Sequence, residues 1–138
     1  AKHLAAKGIE TQEFAFTDTN DVASVTQAAA DYADVVYVPT DNTAASNAEA
    51  IANILVPAGV PAITGEEGIC KGCGVATLSI SYYDLGVTTG KMAARILTGE
   101  ANISEMPIEF TEATPKCNAA MCETLGITPL EGYAAIEE

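Results

Sequence analysis

Apolar residues fall into short blocks separated by polar clusters, and the blocks switch regularly between strand-like and helix-like spacing. Residues 2–7 fit the last turns of a helix, with Leu4 turned inward and Gly8 as the stop. Residues 9–16, ending in Phe14-Ala15-Phe16, predict a first strand, after which Thr17-Asp18-Thr19-Asn20 offers several helix N-caps. Val22, Val25, Ala29 and Tyr32 recur at near-helical spacing and predict an amphipathic helix over 21–32. The β-branched and aromatic run Val35-Val36-Tyr37-Val38 predicts a buried strand that breaks at Pro39 into Thr40-Asp41-Asn42-Thr43. An alanine-rich helix over 44–55 follows, with Ala48, Ile51, Ala52 and Leu55 on one face. Ser46 and Glu49 have capping-box spacing, so a later start that leaves TDNTAA as loop is the alternative.

Pro57-Ala58-Gly59 ends that helix, and residues 60–63 predict a short strand leading into Thr64-Gly65-Glu66-Glu67-Gly68. A glycine and cysteine loop then leads to a strand over 75–80. A helix over 84–97, with Asp84 available as N-cap, carries Leu85, Met92, Ala93, Ile96 and Leu97 and stops at Gly99. Residues 107–110 predict a brief strand, and 118–125 a final helix closed by Gly126. Strands and helices alternating at short intervals are the sequence form of an α/β fold, a parallel sheet flanked by helices.

In open α/β sheets ligands bind beyond the carboxyl ends of the strands. The first three predicted strands end in TDTN, PTDN and TGEE, so ligand-capable side chains recur along one edge of the sheet. Helix N-termini at that edge also suit an anionic group such as a carboxylate. Capping accounts for much of this pattern and less well for Glu66 and Glu67.

Composition narrows the class. The 138 residues make one domain or one lobe of a larger protein, and 49% hydrophobic with 18% charged residues is enough for a real core. Nineteen acidic against six basic residues, a net charge of -13, argues against nucleic acid and anionic membranes as partners. No apolar run reaches the length of a bilayer span, and no basic-then-apolar signal peptide occurs. The uncapped opening AKHLAAKG reads as a sheet protein cut ahead of its first strand.

Cys70-Lys71-Gly72-Cys73 lacks a thioredoxin context, because Gly74 and the strand VATLSI follow it. Zinc would need Cys117 and Cys122 as well, at a spacing looser than a knuckle, so a local disulfide or free small residues in a loop is favoured. His3 reads as a surface residue. Neither a Walker A sequence, GxGxxG nor GxSxG occurs. Asp41, Glu66 and Glu67 leave acid/base hydrolysis as a minor option. Ser79-Ile80-Ser81-Tyr82-Tyr83-Asp84 places two tyrosines where strand gives way to helix, suited either to a ligand or to packing, one ring inward and one shielding the strand end.

The succession DVVYVPTDNTAAS, PAITGEEGICKGCGVATLSISYYDLGVTTGKMAARILTGE and PIEF resembles the substrate-binding proteins of ABC transporters. It looks most like the tryptophan and tyrosine branch, with the type-I periplasmic-binding-protein fold, over about 8–126. The resemblance implies a second lobe, incomplete at the N-terminus. Residues 1–81 would form its core without the first strand, 82–106 a crossover and helix normally belonging to the first lobe, and 107–138 the return strand, short helix and tail.

It further implies a non-enzymatic solute-binding component of an ABC importer that closes two lobes over a small polar ligand, an amino acid with aromatic ones favoured. By position, Thr40, Asp41, Asn42, Glu66, Glu67, Ser79, Tyr82 and Tyr83 are the expected ligand-binding residues. Asp41 or Glu66 would hold the ammonium, Thr40, Asn42 or Ser79 the carboxylate, and a tyrosine the side chain. No cofactor or metal is expected. The expected partners are the ligand and a transporter permease, and the expected location is extracytoplasmic, periplasmic or as a cell-surface lipoprotein.

The helix over 84–97, without its native partner, is expected either to mediate a homodimer of the isolated lobe or to fold back on its own sheet. Two other function classes stand beside this one: the effector-binding domain of a transcription regulator of the same fold, and an α/β enzyme using the acidic strand ends, with zinc at the cysteines.

Overall fold

The computed structural model describes residues 2–137. Three short strands, β1 (Val36–Val38), β2 (Ala62–Thr64) and β3 (Ala76–Ser79), pair in parallel and in sequence order. β4 (Thr114–Cys117) returns antiparallel to β3, and β5 (Ala134–Ala135) runs parallel to β4, giving the order β1-β2-β3-β4-β5. The helices are α1 (Lys2–Ala5), α2 (Val22–Tyr32), α3 (Asn42–Ser46), α4 (Ala48–Ala58), α5 (Glu67–Cys73), α6 (Tyr82–Leu97) and α7 (Ala119–Thr124).

The main core lies where α2, α4 and α5 meet one face of β1 and β2. Val22, Ile51, Leu55, Ile69 and Cys73 pack there with Val38 and Ala62. Fully burying a side chain of this size contributes roughly 1.5–3 kcal/mol. Alternation along the pleat sends Val38, Thr64, Thr77 and Ser79 inward, while Tyr37, Ile63 and Leu78 on the opposite face stay exposed. The predicted strand over 35–38 is therefore buried on one face only. Inside, the Thr77 hydroxyl donates to the Thr64 carbonyl at 2.9 Å, so this buried polar group is matched. A second cluster joins Val75, Cys117 and Cys122 with Met121, Leu125 and Tyr133.

Several predicted elements differ. Residues 9–16 form no strand among the described residues; a strand needs a ladder neighbour, and these residues meet α2 through side chains instead. The Tyr32 hydroxyl donates to Glu10 at 3.0 Å, and the Phe14 and Tyr32 rings lie 5.9 Å apart. Leu4, expected inward, is 42% exposed. None of the four residues at 17–20 caps α2 by side chain; Asp21 precedes the helix, and its carboxylate accepts from the Thr17 and Asp18 amides. The alanine-rich helix splits at Asn47 into α3 and α4, so 42–46 is helix and not loop. The stretch read as a glycine and cysteine loop is α5, whose spacing of Ile69, Cys70 and Cys73 buries all three. Gly72 lets α5 lie close on α4, since a Cβ there would sit 2.5 Å from that of Ala48. The return strand is Thr114–Cys117 and not 107–110, because pairing with β3 falls on the later segment. β5 had no strand-like signal in two alanines.

Helix α6 stands apart. It buries none of its residues, and Leu97 is 87% exposed, so it does not fold back onto the sheet as one expectation had it. Isolated helices of this length are marginal in water. Hydrogen exchange of this chain is expected to show the amides of 82–97 exchanging orders of magnitude faster than those of α4. Equal protection in the two helices would show that α6 has a packing partner in solution.

Candidate functional site

Parallel pairing brings the carboxyl ends of β1 and β2 side by side, and the chain turns into a helix after each. Gly65 continues the ladder past the strand, its amide donating to the Val38 carbonyl at 2.9 Å. A Cβ at Gly65 would lie 2.7 Å from both the amide nitrogen and the Oγ1 of Thr40, so only glycine lets the two turns touch. Asp41, in extended backbone, caps α3 by accepting from the Ala44 amide at 2.9 Å. Glu66 caps α5 with both oxygens, accepting from the Gly68 amide at 2.8 Å and from the Ile69 amide. The Ser81 hydroxyl, and not Asp84, caps α6: it accepts from the Asp84 amide at 3.1 Å, and the helix starts at Tyr82.

These turns border an open cleft of about 340 Å³. Thr40, Asp41, Asn42 and Ala45 line it from the β1–α3 side, Glu66, Gly68 and Ile69 from the β2–α5 side, and Tyr82 from the start of α6. Five of the eight residues singled out from the sequence thus meet at one place: Thr40, Asp41, Asn42, Glu66 and Tyr82. Three do not. Glu67 turns to Lys116, at 2.6 Å, and ties α5 to β4. Ser79 is buried within β3, its hydroxyl donating to the Ile80 carbonyl at 3.4 Å. Tyr83 is 80% exposed and outside the cleft, so neither tyrosine packs inward as one reading had it. Capping and the ion pair also account for Glu66 and Glu67 better than the sequence suggested.

Sequence reasoning did not single out Ala45, Gly68 or Ile69. Ala45 lies three residues beyond Asn42 and so shares its helix face, a spacing that was legible. Gly68 and Ile69 were hidden by reading their helix as loop. A smaller cleft of about 180 Å³, lined by Lys71, Asn118, Ile136 and Glu137, involves none of the strand-end residues.

The four cysteines are free and buried. Burial pushes the Cys70 thiol from 9.0 up to about 11 and the Cys73 thiol up to about 12. Burial raises Cys122 as well. The Cys73 thiol donates to the Ile69 carbonyl at 3.4 Å, and that of Cys122 to the Val75 carbonyl at 3.5 Å. Of the two readings favoured from the sequence, the cysteines are free and no local disulfide is formed; the CKGC motif packs a helix, not a loop, as neutral thiols. Among the described residues, no group of three or more His, Cys, Asp or Glu side chains gathers to hold a metal.

Two outcomes are expected. Gly65→Ala must displace the Thr40 turn and should cost about 1–3 kcal/mol in urea unfolding; an unchanged midpoint would mean that the turns do not touch. The raised thiols favour the folded state fully below the unfolded thiol value near 9.0, and that contribution is lost as pH climbs toward about 11–12. Unfolding free energy measured against pH should therefore fall above pH 9, and less steeply in Cys73→Ala.

Comparisons with known proteins agree with this fold. The family model described as ABC transporter substrate binding protein matches residues 1–133. A tyrosine-binding protein of Clostridioides difficile strain R20291 is 31% identical over 81 residues, 59% of this chain and 23% of that protein. A solved ABC domain from Streptococcus pneumoniae in complex with L-Trp is similar with a TM-score of 0.85 and 28% identity, over 98% of this chain and 48% of that one. The ligand-free, open structure of a substrate-binding protein with adhesive properties from Clostridium difficile gives 0.77 and 28%, over 99% and 47%. The chain spans about half the length of these solved structures and about a quarter of the curated relative. By fold and by a family match along nearly its whole length, the chain belongs to the ABC transporter substrate binding protein family.

Proposed function

We propose that this chain provides one wall of the ligand cleft of an ABC importer's solute-binding protein, and that the ligand is an amino acid, with aromatic ones favoured. The observation that carries the reading is the gathering of hydroxyl, carboxylate, amide and phenol side chains around one cleft at the strand ends. A cleft at the carboxyl ends of parallel strands is where such folds bind small molecules. The relative named for tyrosine and the solved relative holding L-Trp support the ligand class.

In this reading the ligand is held and released with no chemistry done on it. The cleft closes when a second lobe hinges over it, with 1–81 as lobe core, 82–106 as the crossover that carries α6, and 107–138 as the return. The exposed apolar positions of α6 suit a helix whose packing partner lies in that other lobe. The partners are a small-molecule ligand, an amino acid, and a transporter permease, and the setting is extracytoplasmic. The family match weighs against the regulator and enzyme alternatives.

A thermal-shift panel on the intact protein tests the reading. L-tyrosine or L-tryptophan at 100 times its dissociation constant should stabilise by about 2.7 kcal/mol, read as a rise in the unfolding midpoint. Stabilisation by sugars or nucleosides with no response to any amino acid would overturn the ligand class.

A further inference from the structure

The two carboxylates at the cleft differ in what they have left to offer. Both oxygens of Glu66 are occupied by the Gly68 and Ile69 amides. Asp41 uses Oδ1 alone, on the Ala44 amide, and among the described residues no donor reaches its Oδ2. Among the described residues, no lysine, arginine or histidine lines the cleft. Lys116 is paired with Glu67, Arg95 with Glu109, and Lys71 reaches the Glu137 carbonyl. Among the described residues the wall therefore offers one carboxylate oxygen that accepts nothing, Asp41 Oδ2, no cation, and the half-exposed ring of Tyr82.

Building on the amino-acid reading above, we infer that Asp41 selects the ligand by its ammonium group, through Oδ2, and that no charged group of this wall reads the ligand's carboxylate. A carboxylate oxygen can accept two hydrogen bonds, so the acceptor with both sites free is the stronger partner for an ammonium. Asp41 Oδ2 accepts from no described donor, whereas each Glu66 oxygen already accepts one amide of its own helix. The ammonium at Asp41 and an aromatic side chain against Tyr82 would place two features of one ligand on one wall. The chemical class selected is an organic amine with an aromatic ring.

Titration calorimetry on the intact protein and on Asp41→Asn tests this with four probes: L-tyrosine, L-tryptophan, tryptamine and indole-3-propionate. Asparagine caps helices as well as aspartate, so α3 stays capped while the charge is removed. Asp41→Ser repeats the test if the asparagine variant folds poorly. The substitution should weaken both amino acids and tryptamine roughly 10- to 100-fold. It should leave indole-3-propionate, which lacks the amine, unchanged or slightly tighter. Equal loss for amine and non-amine ligands, or no loss for either, overturns the inference while the amino-acid reading stands. Binding of tryptamine that depends on Asp41, without binding of either amino acid, upholds the inference and sinks that reading. Binding of no amine at all overturns both.

Discussion

Parallel pairing constrains everything that follows at the site. Strands joined in parallel must each be followed by a crossover, and all of them end on the same side of the sheet. β1 and β2 are only three residues each, yet their alignment from Val36↔Ala62 to Val38↔Thr64 sets the turn after one against the turn after the other. Gly65 extends that ladder by one bond to Val38 and, having no side chain, lets Thr40 come within touching distance. The cleft is the space left beyond these two turns. Its depth depends on the core beneath, where Leu55 and Ile69 hold α4 and α5 against the strands.

The same residues serve folding and recognition, which is why the two are hard to separate at such an edge. A helix that starts at a strand end leaves amides without intrahelical partners, and a carboxylate just before it satisfies them. Asp41 and Glu66 both do so, with unequal completeness. Both oxygens of Glu66 accept from its own helix, whereas only one oxygen of Asp41 does. Tyr82 arrives by a third route, through a serine that caps a longer helix. That helix has no buried residue over its 16 positions, whereas α2, α3, α4 and α5 share the main core and α7 packs in the second cluster.

How much of this was legible in the sequence follows from what each element depends on. The stretch from Asp34 to Ser46 carries its own instructions: a β-branched run, a proline break and a capping aspartate followed by alanines, and it folds much as read. Residues 9–16 have strand composition, but a strand exists only by pairing, and no sequence window reports whether a neighbour is present. The segment 114–117 shows the converse, for Thr-Pro-Lys-Cys looks unlike a strand and becomes one by lying beside β3. Glycines misled at α5, where Gly68 and Gly72 read as loop; Gly72 is there for close packing on Ala48. Five of the expected residues line the cleft because position located them, four at the ends of β1 and β2 and Tyr82 at the start of α6. Three do not line it: the period-two pleat turns Ser79 to the buried face, a lysine 49 residues away holds Glu67, and Tyr83 stays exposed outside it.

The central claim is that the strand-end cleft is where the ligand sits. Amide chemical-shift mapping of the isotope-labelled intact protein during titration with L-tryptophan addresses it most directly. The account predicts that the largest shifts fall together on 40–42, 66–69 and Tyr82. Shifts at saturating ligand confined to the smaller cleft around Lys71, Asn118 and Glu137, with the strand ends unmoved, would contradict it.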